Sequence, residues 1–123
     1  MYLLDSVLLI DFINKRPEAS VFFYQLNMKE VAVSAITIAE IVAGCQDHEM
    51  PFINAFIEKV SYHDIDKDVA VRAGQLRQQY HWKLPDAFQA AIALKHQLIL
   101  LTRNTKDFDP KIHKFVKIPY RLK

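Results

Sequence analysis

A chain of 123 residues, 51% hydrophobic and 24% charged, is long enough for one domain over residues 1–123 that needs no covalent staple. Its single cysteine, Cys45, excludes an internal disulfide and fits a reducing compartment, while two glycines are too few for glycine-rich phosphate loops. The net charge of +2 is unevenly placed: Arg103, Lys106, Lys111, Lys114, Lys117, Arg121 and Lys123 face only Asp107 and Asp109 in the last stretch, leaving the remainder net negative. Such a basic end suits a polyanionic partner, and equally a solvated tail.

Met1 to Leu4 reads as a short buried strand, followed by a helix over about 7–14. The run Val7–Ile10 lacks a basic flank and is too short for an export signal or a membrane span, so cytoplasmic residence and no membrane partner are expected. Pro17 suits the first position of a second helix reaching Leu26. Glu30–Ser34 is a valine-rich strand. Helical spacing of Ile38, Ile41, Val42 and Cys45 predicts a helix from Thr37 to about Gln46, apolar nearly all round and therefore buried, with Cys45 a buried small hydrophobe. A helix over Pro51–Lys59 and a short strand over Val60–His63 follow. Asp66–His81 is an amphipathic helix with Val69, Ala73, Leu76 and Tyr80 on one face. Pro85–Gln97 is a helix of small apolar residues, and Leu98–Thr102 and Phe115–Ile118 are the last strands. Helices alternate with strands that are continuous apolar runs, which predicts a parallel sheet covered on both faces, a three-layer α/β/α sandwich.

Polar residues placed at strand ends and helix starts stand out: Asp5, Glu40, Asp86 and Asn104. Unpaired charges in apolar, small-residue surroundings are costly, and acids brought together need a cation. Each has a structural alternative. Asp5 can cap the next helix, Glu40 can lie on its helix's one wet edge, and Asp86 is favoured by the helix dipole. Thr102 and Asn104 follow a strand, with Asp107 three residues on as an added charge or a turn cap. Asp11, Glu58, Asp64, Asp66 and Asp68 read as ordinary surface acids. No zinc-type histidine spacing and no Gly-x-Ser-x-Gly occurs, so hard oxygen ligands for Mg²⁺ or Mn²⁺ remain.

The segments Leu3-Leu4-Asp5-Ser6, Thr37-Ile38-Ala39-Glu40-Ile41-Val42-Ala43-Gly44, Leu84-Pro85-Asp86-Ala87 and Leu101-Thr102-Arg103-Asn104-Thr105-Lys106-Asp107-Phe108 stand in the order seen in PIN domains. From residue 3 to about 118 the chain resembles the small ribonuclease toxins of VapBC-type toxin–antitoxin pairs. The resemblance implies a five-stranded parallel sheet in the order 3-2-1-4-5 and hydrolysis of RNA. It further implies one or two Mg²⁺ or Mn²⁺ ions held by Asp5, Glu40 and Asp86, with Asn104 a fourth site position. Thr102, Asp107 and Ser6 would support the site; the concentration of basic charge, not the resemblance, suggests Arg103, Lys106, Lys111, Lys114 and Lys117 for binding flanking phosphates. A small antitoxin and a homodimer are implied partners. The chain departs from the family pattern at Val7, where a small or amide residue is usual, and at Asn104, often aspartate. The competing reading is a catalytically inactive PIN-like module that binds RNA or protein.

Overall fold

A computed structural model of the chain describes residues 1–123. The strands are β1 (Tyr2–Leu4), β2 (Val31–Ser34), β3 (Ser61–His63), β4 (Ile99–Leu101) and β5 (Val116–Lys117). The helices are α1 (Ser6–Ile13), α2 (Pro17–Gln25), α3 (Ala35–Gly44), α4 (Met50–Lys59), α5 (Lys67–Tyr80) and α6 (Leu84–His96). All strands pair in parallel in the order β3-β2-β1-β4-β5, with Leu3 opposite Ala32 on one side and Leu100 on the other. The expected sheet and strand order are therefore observed. No helix is long and apolar enough to cross a membrane.

Side chains alternate across the pleat, and the chain uses that alternation to build two cores. Leu3, Ala32, Leu100 and Val116 face α5 and α6, where Val69, Ala73, Ala90 and Ala91 pack against them. Leu4, Val31, Val33 and Leu101 face the other way, onto Leu8, Leu9, Phe23, Ile41, Ile53 and Phe56 from α1 to α4. Right-handed crossovers explain the division. Moving outward from β1 to β2 and β3 puts helices on one face, and returning past β1 to β4 puts α5 and α6 on the other. The order therefore reverses between β1 and β4, and the crevice beyond their carboxyl ends is where such sheets bind ligands.

Helix starts follow side-chain chemistry. Asp5 caps α1 by accepting from the Ser6 N–H at 2.8 Å, so the helix begins at Ser6 rather than Val7. Ser34 Oγ accepts from the Thr37 N–H at 3.2 Å, which starts α3 at Ala35, two residues ahead of expectation. Two 3₁₀ turns, Met28–Glu30 and Asp47–Glu49, were not foreseen from periodicity.

One expectation is corrected. The helix α3 is not buried: only Thr37 and Ile41 are inaccessible, and Val42 is 42% exposed. It meets α1, α4, α6 and β2 through a single face, so its remaining apolar residues face outward. Cys45, at its end, is half-buried beside Met50, with the sulfurs 3.4 Å apart.

Candidate active site

The crevice at the β1–β4 reversal collects the predicted residues from four elements. Asp5 follows β1, is 8% exposed, and is held from both oxygens: Ser6 N–H donates to Oδ1 and the Thr102 hydroxyl to Oδ2 at 2.6 Å. Its own N–H donates to the Leu101 carbonyl at 3.0 Å, tying it to the end of β4. Val7 packs into the core facing α1–α4, leaving the steadying of Asp5 to Ser6 and Thr102. Glu40 lies on the outer edge of α3, and its Oε1 accepts from the Ser6 hydroxyl at 3.0 Å. Ser6 thus joins two acids, Asp5 through its backbone N–H and Glu40 through its hydroxyl.

Asn104 and Asp107 form a reciprocal pair. The Asn104 amide donates to Asp107 Oδ2 at 3.1 Å, and Asn104 Oδ1 accepts from the Asp107 N–H at 3.2 Å. Both ends of the Asn104 amide are thereby engaged, and it holds Asp107 instead of standing free in the crevice. The Asn104 N–H in turn donates to Thr102 Oγ1 at 3.0 Å.

The electrostatics show that these acids feel one another. Partial burial, then the charges of Asp5, Asp107 and Glu40, push the Asp86 carboxyl up to about 6, against a smaller downward pull from Lys83. Burial raises the Asp5 carboxyl, with hydrogen bonds from Thr102, Ser6 and, least, the Gln89 side chain pulling it back. Glu40 is also raised, first by desolvation, with Ser6 opposing and Asp5 reinforcing the shift. The chain's salt bridges engage Asp66, Asp68 and Asp11, none of these four acids. All-oxygen donors sharing a negative field without a paired cation fit a hard divalent ion. No three side chains close tightly enough to enclose an ion unaided, so water or substrate oxygens would complete its shell.

The basic residues are less convergent. Arg103 is consumed by Asp11, through Nε to Oδ2 at 2.7 Å and Nη2 to Oδ1 at 2.9 Å. Asp11, expected at the surface, is 5% exposed and also accepts from the Tyr120 hydroxyl at 2.9 Å. Spacing gave no hint of this, because the partners lie at opposite ends of the sequence. Lys106 is exposed in the turn beside Asp107. Lys111 sits in a surface turn in which Asp109 accepts its N–H. Lys114 lines a cavity with Gln97, Leu98 and Ile99, at the amino end of β4 and so the opposite end of the strands from Asp5. The Lys117 amine lies 6.0 Å from the ring centre of Tyr2, the first residue of β1. Lys114 is therefore set away from the acids, while Lys117 pairs with Leu101 at the carboxyl end of β4 and turns its amine toward Tyr2. Lys83, at the start of α6, was missed by the sequence reading although its field reaches Asp86. Also missed were Ser34 and Gln89, buried behind the acids.

The model of the family described as PIN domain matches residues 2–110. The chain belongs to the PIN-domain family. This PIN domain is 30% identical to Ribonuclease VapC19 of Mycobacterium tuberculosis over 88% of its own length and 92% of that protein. It is 26% identical to the tRNA(fMet)-specific endonuclease VapC of Shigella flexneri, over 88% and 89% of the two chains. Among solved structures, a chain of a toxin–antitoxin complex from Klebsiella pneumoniae superposes with a TM-score of 0.88 at 35% identity, covering 99% of this PIN domain and 100% of that chain. The resemblance drawn from the four motifs is borne out. All the motif residues lie inside the matched span, whereas Lys111, Lys114, Lys117 and Tyr120 fall beyond it.

Proposed function

We propose that this PIN domain is a metal-dependent ribonuclease and the toxin of a toxin–antitoxin pair. The observation that carries the reading is the convergence of Asp5, Glu40, Asp86 and Asp107 on the strand-order reversal without a paired basic side chain. Relatives matched over most of both chains bear ribonuclease and endonuclease names, which supports RNA as substrate. The Klebsiella complex supports a small antitoxin as partner. The outward apolar residues of α3 and Phe52 on α4 offer surface for that antitoxin or for a second copy in a homodimer.

Asp5, Glu40 and Asp86 would hold one or two Mg²⁺ or Mn²⁺ ions. The bound ion supplies positive charge at the phosphoryl oxygens and a more acidic water at neutral pH. The chain's own groups do the rest. Thr102 and Ser6 fix both oxygens of Asp5, so that carboxylate arrives already oriented. Ser6 restrains Glu40, and Asn104 presents Asp107 with one oxygen directed by its amide. Asp86, titrating near neutrality, gives up its proton most readily when positive charge approaches. Exposed Lys83 and Lys106 are the basic groups placed to meet flanking phosphates.

The deciding experiment measures cleavage of single-stranded RNA by the wild type and by Asp5→Asn, with Mn²⁺ and with EDTA. Cleavage is expected only in wild type with Mn²⁺, with circular dichroism unchanged in the variant. Equal cleavage in EDTA would overturn the metal-dependent reading.

A further inference from the structure

Behind the acids lies a buried polar relay. Gln89, on α6, is 2% exposed and sits three residues after Asp86, on the same face of the helix. Its Oε1 accepts from Ser34 Oγ at 2.6 Å, and its Nε2 donates to Thr37 Oγ1 at 2.7 Å. The Thr37 hydroxyl donates onward to the carbonyl of Leu4 at 2.9 Å, the residue immediately before Asp5. Ser34 Oγ meanwhile accepts from the Thr37 N–H. No buried side-chain nitrogen or oxygen in the chain lacks a partner.

The chemistry of the relay admits few residue types. Thr37 spends its proton on Leu4, so the group facing it must donate. Ser34 uses a lone pair on the Thr37 N–H and has its proton left, so the group facing it must accept. A side-chain amide does both at once, with one orientation only. An ionised carboxylate cannot donate to Thr37, and a hydrocarbon would leave the buried Ser34 proton without its acceptor and Thr37 Oγ1 without its incoming donor. Helix α6 could have been packed against β1 and β2 by its alanines alone. The amide at this position instead locks α6, β2, α3 and the end of β1 in one register. Asp86, Glu40 and Asp5 are each carried within three residues of a member of that lock.

We propose that Gln89 is a positioning residue for the proposed metal site, setting the separation of Asp86 from Asp5 and Glu40 through its hydrogen bonds to Ser34 and Thr37. This rests on the metal-dependent ribonuclease reading. Gln89 is buried behind the acids and acts through them. A role confined to stability would lower the melting temperature and leave the ion affinity of the folded protein unchanged. A positioning role weakens Mn²⁺ binding and kcat in the folded protein, while KM for RNA stays near the wild-type value because the outer phosphate contacts are untouched.

The test uses the full chain as Gln89→Leu, with Thr37→Val as a second disruption should the first fail to fold, and Thr37→Ser as the conservative control. Mn²⁺ affinity is read by calorimetric titration, kcat and KM by RNA cleavage, and geometry by ¹H–¹⁵N spectra. Expected are a ~10–100-fold loss of Mn²⁺ affinity and of kcat, KM within threefold, shifted amide resonances at Asp5, Glu40 and Asp86, and near-complete recovery in Thr37→Ser. A folded Gln89→Leu or Thr37→Val with wild-type Mn²⁺ affinity, kcat and resonances at the acids overturns the proposal. Wild-type protein that neither binds Mn²⁺ nor cleaves RNA sinks the ribonuclease reading instead. The spectra then decide alone whether Gln89 sets the spacing of the acids.

Discussion

At the residue scale, the Asp86 carboxyl is raised from an ordinary 3.8 to about 6. Between those values the native state keeps a proton that the unfolded chain has lost. The stability this group contributes is therefore fully present below about pH 4 and lost as pH rises through about 6. Asp5 and Glu40, also raised, act in the same direction. In EDTA, the urea midpoint of the wild type should fall from pH 4 to 7 relative to Asp86→Asn; a constant difference across that range would contradict the shared field. Ion binding needs the ionised acid, so Mn²⁺ affinity should rise with pH through about 6. The sequence suggested Asn104 as the fourth site position with Asp107 as an added charge, and the two are joined by hydrogen bonds at both ends of the amide. Residue type alone could not have shown that link, because an asparagine reads the same whether its amide is free or engaged.

At the element scale, two helices end on residues forced into the left-handed region, His81 at φ 61° and Gln97 at φ 56°. Each terminates by returning its N–H to a carbonyl four residues back, Arg77 and Ala93 respectively. Gln97 is exposed, so Gln97→Gly should relieve the steric cost at that cap and stabilise the chain by roughly 0.5–1 kcal/mol, read from urea unfolding. An unchanged or lowered midpoint would mean that the side chain compensates for its backbone. The Asp11–Arg103–Tyr120 cluster pins α1, the turn after β4 and the C-terminal segment together. Burial raises the Tyr120 hydroxyl, and the hydrogen bond and charge of Asp11 add to the effect against a smaller opposing pull from Arg103. Tyr120→Phe removes one hydrogen bond to a charged acceptor and should cost about 1.5–3 kcal/mol.

At the scale of the whole molecule, charge and topology divide the surface. The basic C-terminal stretch looked in sequence like one polyanion-binding segment. Its Lys114 instead lies at the amino end of β4 and the Lys117 amine reaches toward Tyr2, whereas Lys83 and Lys106 lie by the acids. Lys83→Ala and Lys106→Ala should weaken RNA binding and each reduce the slope of log affinity against log salt by about 0.7. Lys114→Ala should leave that slope unchanged. The reverse pattern would place the nucleic acid along the basic tail and away from the crevice.

The sequence by itself determined the alternation of helices and strands, because period and capping act within a few residues. Apolar runs such as Leu98–Leu101 announced a sheet covered on both faces, and Asp5, Glu40 and Asp86 announced themselves by being acids where burial is expensive. Their order carried the family resemblance. Relations between residues far apart in the chain emerged only on folding. These include the half-exposed face of α3, the burial of Asp11 against Arg103 and Tyr120, the consumption of the Asn104 amide and the relay through Gln89. Each depends on which groups meet across the β1–β4 reversal and between the helices packed on the sheet. Local spacing holds no such information, since a hydrogen bond or ion pair is set by three-dimensional proximity that the crossovers create.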